Sequence, residues 1–241
     1  ISESKDEHEG ASLTAGTVSS DSSSGPMDGS SGAADQLPEG AEIATDAATH
    51  TVVPTHWEES LDGGFLASFT GVVHRLDGLH GHVHLIPHRR PSAVSSPPRV
   101  LVRRLKGDGV HDGNEIASFP EGALDGLAIT LADENKYDGE PWELDRELAA
   151  HDGVITQSVT LASEAALLGT PVLLISSAER GFLNRLEQEG APLFRWRGTG
   201  AEEEWLAVQA QFLAGLHLTD ALDAADWPDA KSQLSSWLHR R

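Results

Sequence analysis

The chain has 241 residues, enough for one large or two small domains, and sets 38 acidic side chains against 17 basic ones for a net charge of -21. That balance repels nucleic acid and anionic membrane surfaces as principal partners, and no run approaches the roughly 20 consecutive apolar residues that a transmembrane helix needs. The absence of cysteine removes disulfides, thiolate nucleophiles and cysteine-ligated metals, and leaves the redox compartment open.

Lysine is confined to Lys5, Lys106, Lys136 and Lys231. Dense carboxylates with little lysine stay hydrated where molar salt screens charge to within about 3 Å, so the composition predicts a protein of a salt-in halophile; the plainer reading is an ordinary acidic protein with an acidic tail. Either way the expected location is cytoplasmic, since no signal peptide is visible. The first residue is Ile1 and the only methionine is Met27, which predicts a fragment or a processed product.

Residues 1–45 are dominated by Ser, Gly, Asp, Glu and Ala. They carry too little apolar surface to offset their conformational entropy and are predicted to be a disordered acidic linker. Residues 46–92 change character. Pro54-Thr55 opens a predicted short helix that Gly63-Gly64 ends, and Phe65, Leu66, Phe69, Val72 and Val73 follow. His80, His82 and His84 alternate, which on a strand sends all three to one face. A metal reading lacks any HExxH spacing or carboxylate at a fixed offset, so the expectation is three histidines on the solvent side of an edge strand.

Arg89 to Pro98 reads as a hinge, and residues 93–241 as the well-patterned domain. Arg99 to Arg103 is a predicted strand, followed by a loop holding Arg104, His111, Asp112 and Asn114. Ligands of open α/β sheets bind outside the carboxyl ends of the strands, which makes His111 and Asp112 candidates for chemistry; a plain Gly/Asp/Asn turn would use the same residues. Leu127 to Leu131 is a predicted strand and Trp142 to Ala150 a predicted helix.

The organising stretch runs from Gly153 to Ser177. Val154-Ile155-Thr156 is a short β-branched run predicted as a buried strand. A helix follows through Leu161, Ala162, Ala165, Ala166, Leu167 and Leu168, with Ser158 or Thr160 as its cap and Gly169 and Pro171 as its stop. Val172 to Ile175 is a second strand, apolar on both faces as in a covered parallel sheet. Such a unit directs backbone N–H groups and the positive end of a helix dipole to the carboxyl edge of the sheet, where they suit a phosphate. Glu164 lies near that edge and is suited to accept hydrogen bonds from sugar hydroxyls; the dipole alone also favours a glutamate there. Beyond it come a helix through Leu183 and Leu186 closed by Gly190, a strand over Pro192 to Trp196, an amphipathic helix over Glu202 to Leu218, and a final helix with Trp227, Leu234, Trp237 and Leu238. The alternation predicts an α/β fold with a Rossmann-like doubly wound parallel sheet.

The residues Thr160, Glu164, Ala165, Ala166, Leu168, Gly169, Thr170 and Pro171 form a T-x-x-x-E-A-A-x-L-G-T-P run. It resembles the C-terminal nucleotide-binding half of GT-B glycosyltransferases and of the non-hydrolysing UDP-N-acetylglucosamine 2-epimerases, and most closely an uncharacterised, largely archaeal GT-B-like family. The P-x-x-W-x-E-x-L-x-x-G-F run from Pro54 to Phe65 is similar to the last piece of that family's N-terminal domain, so the resemblance implies that most of the first domain is missing from this chain or supplied by a partner chain. Ser158-Val159 stand where relatives carry glycines, which narrows the approach of a diphosphate to the backbone. The resemblance implies a metal-independent glycosyltransferase with no resident cofactor. A nucleotide-sugar, UDP-linked, would be its donor, and its acceptor is unknown. Ser158 and Thr160 would hold the diphosphate, Glu164 the ribose and Arg180, in a Glu179-Arg180 pair similar to an epimerase donor contact, the charge, with His111 or Asp112 as general base. An epimerase, which would need a second carboxylate beside Asp112, and a non-catalytic nucleotide-sugar-binding protein are the alternatives.

Overall fold

The chain divides into two compact units, Ile1–Gln36 and Leu37–Arg241. The computed structural model describes residues 48–61, 65–86, 93–106, 117–120, 122–133, 139–217 and 228–239, all in the second unit. The predicted acidic linker and the loop carrying His111, Asp112 and Asn114 lie outside the described residues.

Two strands begin the described chain. β1 (His50–Pro54) and β2 (Val72–Leu76) pair in parallel, His50 opposite Val72 and Pro54 opposite Leu76. The helix expected between them is replaced by turns: Trp57 N–H donates to the Pro54 carbonyl at 3.1 Å and Leu61 N–H to that of Glu58 at 2.9 Å. The Glu59 carboxylate competes for this segment, accepting from Trp57 Nε1 at 2.7 Å and from the Ala67 N–H at 2.9 Å.

The histidine segment also departs from expectation. It is not an edge strand but a single helical turn, α1 (Gly81–His84), closed by Leu85 N–H to the Gly81 carbonyl at 2.9 Å. His82 Nδ1 accepts the Leu79 N–H at 2.8 Å and so satisfies a donor at the start of the turn. Glycine lets the turn lie against the next layer, because a β-carbon at Gly81 would come within 2.7 Å of Leu167 Cδ1. A strand would need a sheet edge to pair with, and here the neighbours are helices.

The main sheet contains β3 (Arg99–Arg103), β4 (Ala128–Leu131), β5 (Gly153–Thr156), β6 (Val172–Ile175) and β7 (Leu193–Trp196). They are all parallel and ordered β4-β3-β5-β6-β7, a Rossmann-like doubly wound arrangement in which the winding reverses between β3 and β5. Three helices connect the strands: α2 (Leu144–Ala150), α3 (Val159–Leu167) and α4 (Gly181–Gln188). α5 (Glu202–Gly215) and α6 (Ala230–Leu238) follow the last strand.

Side-chain alternation along the strands builds two cores. Leu101, Val154, Val172, Leu174 and Leu193 face α2, α3 and α4. Val100, Val102, Ile155, Leu173, Ile175 and Trp196 face Trp205, Phe212 and Leu216 at and just beyond α5. Each fully buried aliphatic or aromatic side chain contributes about 1.5–3 kcal/mol, which is why these apolar strands settle with both faces covered. α3 is buried from Leu161 to Leu167, so its amphipathicity is weak and it must enter and leave cleanly. Of the two expected caps, Ser158 is the one used, its Oγ accepting the Leu161 N–H at 3.3 Å, and Gly169 stops the helix at φ +72°, a conformation that favours glycine.

α6 packs on β2 and α1. Its Asp229 cap accepts the Ser232 N–H at 3.3 Å, and the His74 ring is stacked between His50 and Trp237 at centroid distances of 5.3 and 4.9 Å. Among the described residues, no helix is long and apolar enough to cross a membrane.

Candidate functional site

The carboxyl edge of the sheet is where the loops after β3, β5 and β6 converge. Thr156 ends β5, and its Oγ1 accepts the Ser158 N–H at 2.9 Å, folding the chain tightly into α3. By helix geometry the first N–H groups of α3 have no intrahelical backbone acceptor, and one of them, that of Leu161, is taken by Ser158 Oγ. Val159 packs back on the first core. Thr160 is exposed, and its carbonyl accepts Ser163 Oγ at 2.8 Å.

Gln157 is a site-building residue that the sequence did not single out. Its side chain is buried, with Oε1 accepting the Leu105 N–H at 3.0 Å and Nε2 donating to the Ala117 carbonyl at 2.7 Å. These partners stand on either side of the segment that carries His111 and Asp112, so one amide joins Leu105 and Ala117 at the start of α3. Beside it Arg104 and Asp133, at the ends of β3 and β4, form a two-point ion pair through Nε and one terminal nitrogen.

Glu164 is 7% exposed and does not stand open to the crevice. Its Oε1 lies 3.0 Å from Nε2 of His84; a carboxylate can only accept, so the imidazole N–H donates. His84 is half exposed and lies over the carboxylate. His80, one helical turn earlier, stacks against His84 with centroids 6.3 Å apart and meets Phe182 edge-on at 5.7 Å. The spacing that looked like strand alternation is, for His80 and His84, the four-residue spacing of one helix face, and that is the signal which could have brought them together.

Arg180 precedes α4 and lines a pocket of about 320 Å³ with Pro54, His56, Trp57, His80 and Phe182. Its Nη1 donates to the Glu179 carbonyl at 2.8 Å. Glu179 itself faces the other way: its carboxylate receives Arg195 Nη2 at 2.8 Å and Arg197 Nε at 2.6 Å. Burial pushes the Glu179 carboxyl up, but the hydrogen bonds from Arg197 and Arg195 outweigh it and hold the group below the usual carboxylate range. Among the described residues no group of three or more His, Cys, Asp or Glu side chains is placed to hold a metal ion. Of the sequence candidates, then, Ser158 caps α3, Thr160 is exposed, Glu164 is met by His84 and Arg180 lines the pocket before α4, and the sequence reading missed His56, Trp57, His84 and Phe182.

Burial holds His80 and His82 below the ordinary histidine pKa, so each binds a proton less readily folded than unfolded. Their contribution to stability is full above about pH 6.5, the unfolded value, and is lost as pH falls from there toward the folded values. Glu179, also depressed, adds a loss only at pH below its unfolded value. Urea midpoints at pH 7.5, 6 and 5 should therefore fall with acidification, and the variant carrying both His80→Gln and His82→Gln should show a flatter slope; an unchanged slope in that variant rules these two imidazoles out as the cause.

No family model matches the chain, and neither a curated protein nor a solved structure does.

Proposed function

We propose that this chain is the donor-binding half of a GT-B-type glycosyltransferase, holding a nucleotide-diphospho-sugar, UDP-linked, at the carboxyl edge of the main sheet. The observation that carries the reading is the position of the β5–α3 turn: it opens beside the β3–β5 reversal of a five-stranded parallel sheet, the place where open α/β sheets take their ligands. In this reading the first N–H groups of α3, with the Ser158 and Thr160 hydroxyls, take the diphosphate, and Arg180 supplies a counter-charge. Glu164 takes the ribose hydroxyls once His84 has moved off it. His111 or Asp112 acts as general base on an acceptor hydroxyl, and no resident cofactor takes part. The missing part of the GT-B cleft would come from an N-terminal domain or a partner chain, and the working location would be the cytoplasm of a halophile. A second reading, a non-catalytic nucleotide-sugar-binding protein, is favoured by the Glu164–His84 hydrogen bond, which occupies the carboxylate. An epimerase would need a second carboxylate near Asp112.

Calorimetric titration with UDP, GDP and UDP-N-acetylglucosamine in molar KCl tests the donor site. The wild type should bind one of them, and Glu164→Ala should bind it at least tenfold more weakly, a loss of about 1.4 kcal/mol. If none of the three binds, both the transferase and the epimerase readings fall. Where one binds, product analysis with and without added acceptor separates them, because epimerisation needs no acceptor and a non-catalytic protein leaves the nucleotide-sugar unchanged. The halophile reading has its own check. With a net charge of -21, the melting temperature should climb as KCl rises toward molar concentrations, and a flat profile would remove that reading alone.

A further inference from the structure

Glu164 is the one carboxylate of α3, and a single side chain answers it. Thr160 and Glu164 are four residues apart and so share one face of the helix. That face is open at Thr160 and closed one turn later, where Glu164 is 7% exposed. At Glu164 it meets α1, and His84 Nε2 lies 3.0 Å from Glu164 Oε1. Among the described residues no other group hydrogen-bonds that carboxylate. Burial holds the nearby His80 below the ordinary histidine pKa, against the pull of the Glu164 charge, so at neutral pH His80 brings no cation of its own to the carboxylate.

The two partners are held very unequally. Glu164 belongs to a helix that is buried from Leu161 to Leu167 and has no room to turn away. α1 is anchored at its other end: the Leu85 N–H closes the turn on the Gly81 carbonyl at 2.9 Å, and Gly81 lies so near α3 that a β-carbon there would come within 2.7 Å of Leu167 Cδ1. The His84 side chain, by contrast, is 53% exposed against 10% for that of Glu164. Its second ring nitrogen has no hydrogen-bond partner among the described residues, and its ring contact there is the stack on His80 with centroids 6.3 Å apart. Rotating this one imidazole into water uncovers Glu164 at the cost of a single hydrogen bond, with the backbones of α1 and α3 left where they are.

A carboxylate covered in this way is closed to a diol. Ribose hydroxyls would donate to the same lone pairs that the imidazole N–H now occupies, so the ligand must first break the His84 bond, and its apparent affinity is lowered by the scarcity of the uncovered state. Resting on the donor-site reading above, we propose that His84 is an autoinhibitory latch: it holds Glu164 closed against the ribose of the nucleotide and swings out when the ribose takes its place.

Calorimetric titration of the full chain with UDP and with 2′,3′-dideoxy-UDP, which lacks both ribose hydroxyls, tests the latch; GDP and its dideoxy form are the second pair. His84→Ala should bind the ribonucleotide about threefold or more tightly than the wild type, the worth of one half-exposed hydrogen bond to a charge, and should bind the dideoxy nucleotide as the wild type does. In a Glu164→Ala background the same substitution should bring no gain, which closes a double-mutant cycle. His84→Ser, whose hydroxyl is too short to reach the carboxylate, serves as the second variant and should show the same gain, with circular dichroism showing that each protein is folded. A hydrogen bond that only braces α1 on α3 would instead lower the melting temperature of both variants and leave their UDP affinity unchanged. That result overturns the latch, and where the wild type binds a nucleotide through Glu164 the donor reading stands without it. A gain of equal size for the dideoxy nucleotide, or one that persists without Glu164, also overturns the latch. If neither UDP nor GDP binds the wild type or either His84 variant, the latch and the donor reading fall together.

Discussion

Arg195→Ala should lower the unfolding free energy by about 3 kcal/mol and the melting temperature by about 6–12 °C for a folded unit of this size. The Arg195 side chain is 1% exposed, yet it carries a full charge. Its Nη1 donates to Asn184 Oδ1 and Glu187 Oε2, both at 3.1 Å, and its Nη2 to the Ala178 carbonyl and to Glu179 Oε2, both at 2.8 Å. One planar fork thereby joins the last strand of the sheet to α4 and to the loop after β6. Its Nε is buried without a hydrogen-bond partner among the described residues, so the site is already short of one acceptor and has nothing spare. Alanine would leave the Ala178 carbonyl unpaired and two carboxylates without their shared cation, beside a cavity the length of the removed side chain. Arg195→Lys keeps the charge but presents a point donor in place of a fork, and its loss should fall between wild type and alanine. Urea melts of the three proteins are the measurement. A loss below about 1 kcal/mol for alanine would mean that the fork is a surface pair in its energetics.

Gly153→Val should cost a similar amount, about 3 kcal/mol, for the opposite reason: too much volume where there is none. Gly153 opens β5, and a β-carbon there would overlap Leu216 Cδ2 and stand 3.1–3.2 Å from the ring of Phe212. Both neighbours are 1% exposed. Gly215, at the end of α5, meets Phe194 in the same way, with a β-carbon 2.6 Å from Cζ. Helix and sheet thus approach through two glycines, one on each surface, and the second core is closed by that approach. Combining Gly153→Val with Leu216→Ala should cost clearly less than the sum of the single changes, since the cavity left by the leucine receives the added methyl groups. Additive losses would show that the backbone shift, and not the leucine, sets the penalty.

These two sites show where sequence reading stopped. The five strands were readable because short β-branched and leucine-rich runs such as Val100-Leu101-Val102 and Val172 to Ile175 have few ways to hide both faces except between helices. The stop after α3 was readable because Gly169 and Pro171 act locally. Arg195 gave no signal, since an arginine in Phe194-Arg195-Trp196 reads as an outward-facing residue of an edge strand. Its acceptors lie 8 to 17 positions away in sequence. Gly153 read as punctuation before a strand, with no hint that α5 would press on it. The histidines were misassigned because His80, His82 and His84 satisfy a two-residue period as well as His80 and His84 satisfy a helical one, and only the presence of α3 and α6 in place of a sheet edge decides between them.

What the amino-acid sequence determined alone was therefore the parallel α/β layering and the strand–turn–helix–strand unit from Gly153 to Ile175. These follow from periodicity, capping and turn chemistry, which act over a few residues. The tertiary structure decided the partners: that Glu164 is met by His84, 80 positions away, that Gln157 joins Leu105 to Ala117, and that Trp57 and Arg180 share one pocket. Such pairings depend on which surfaces the packed layers bring face to face, and a buried polar group takes whichever partner that packing delivers, because leaving it without one costs more than any local preference can recover.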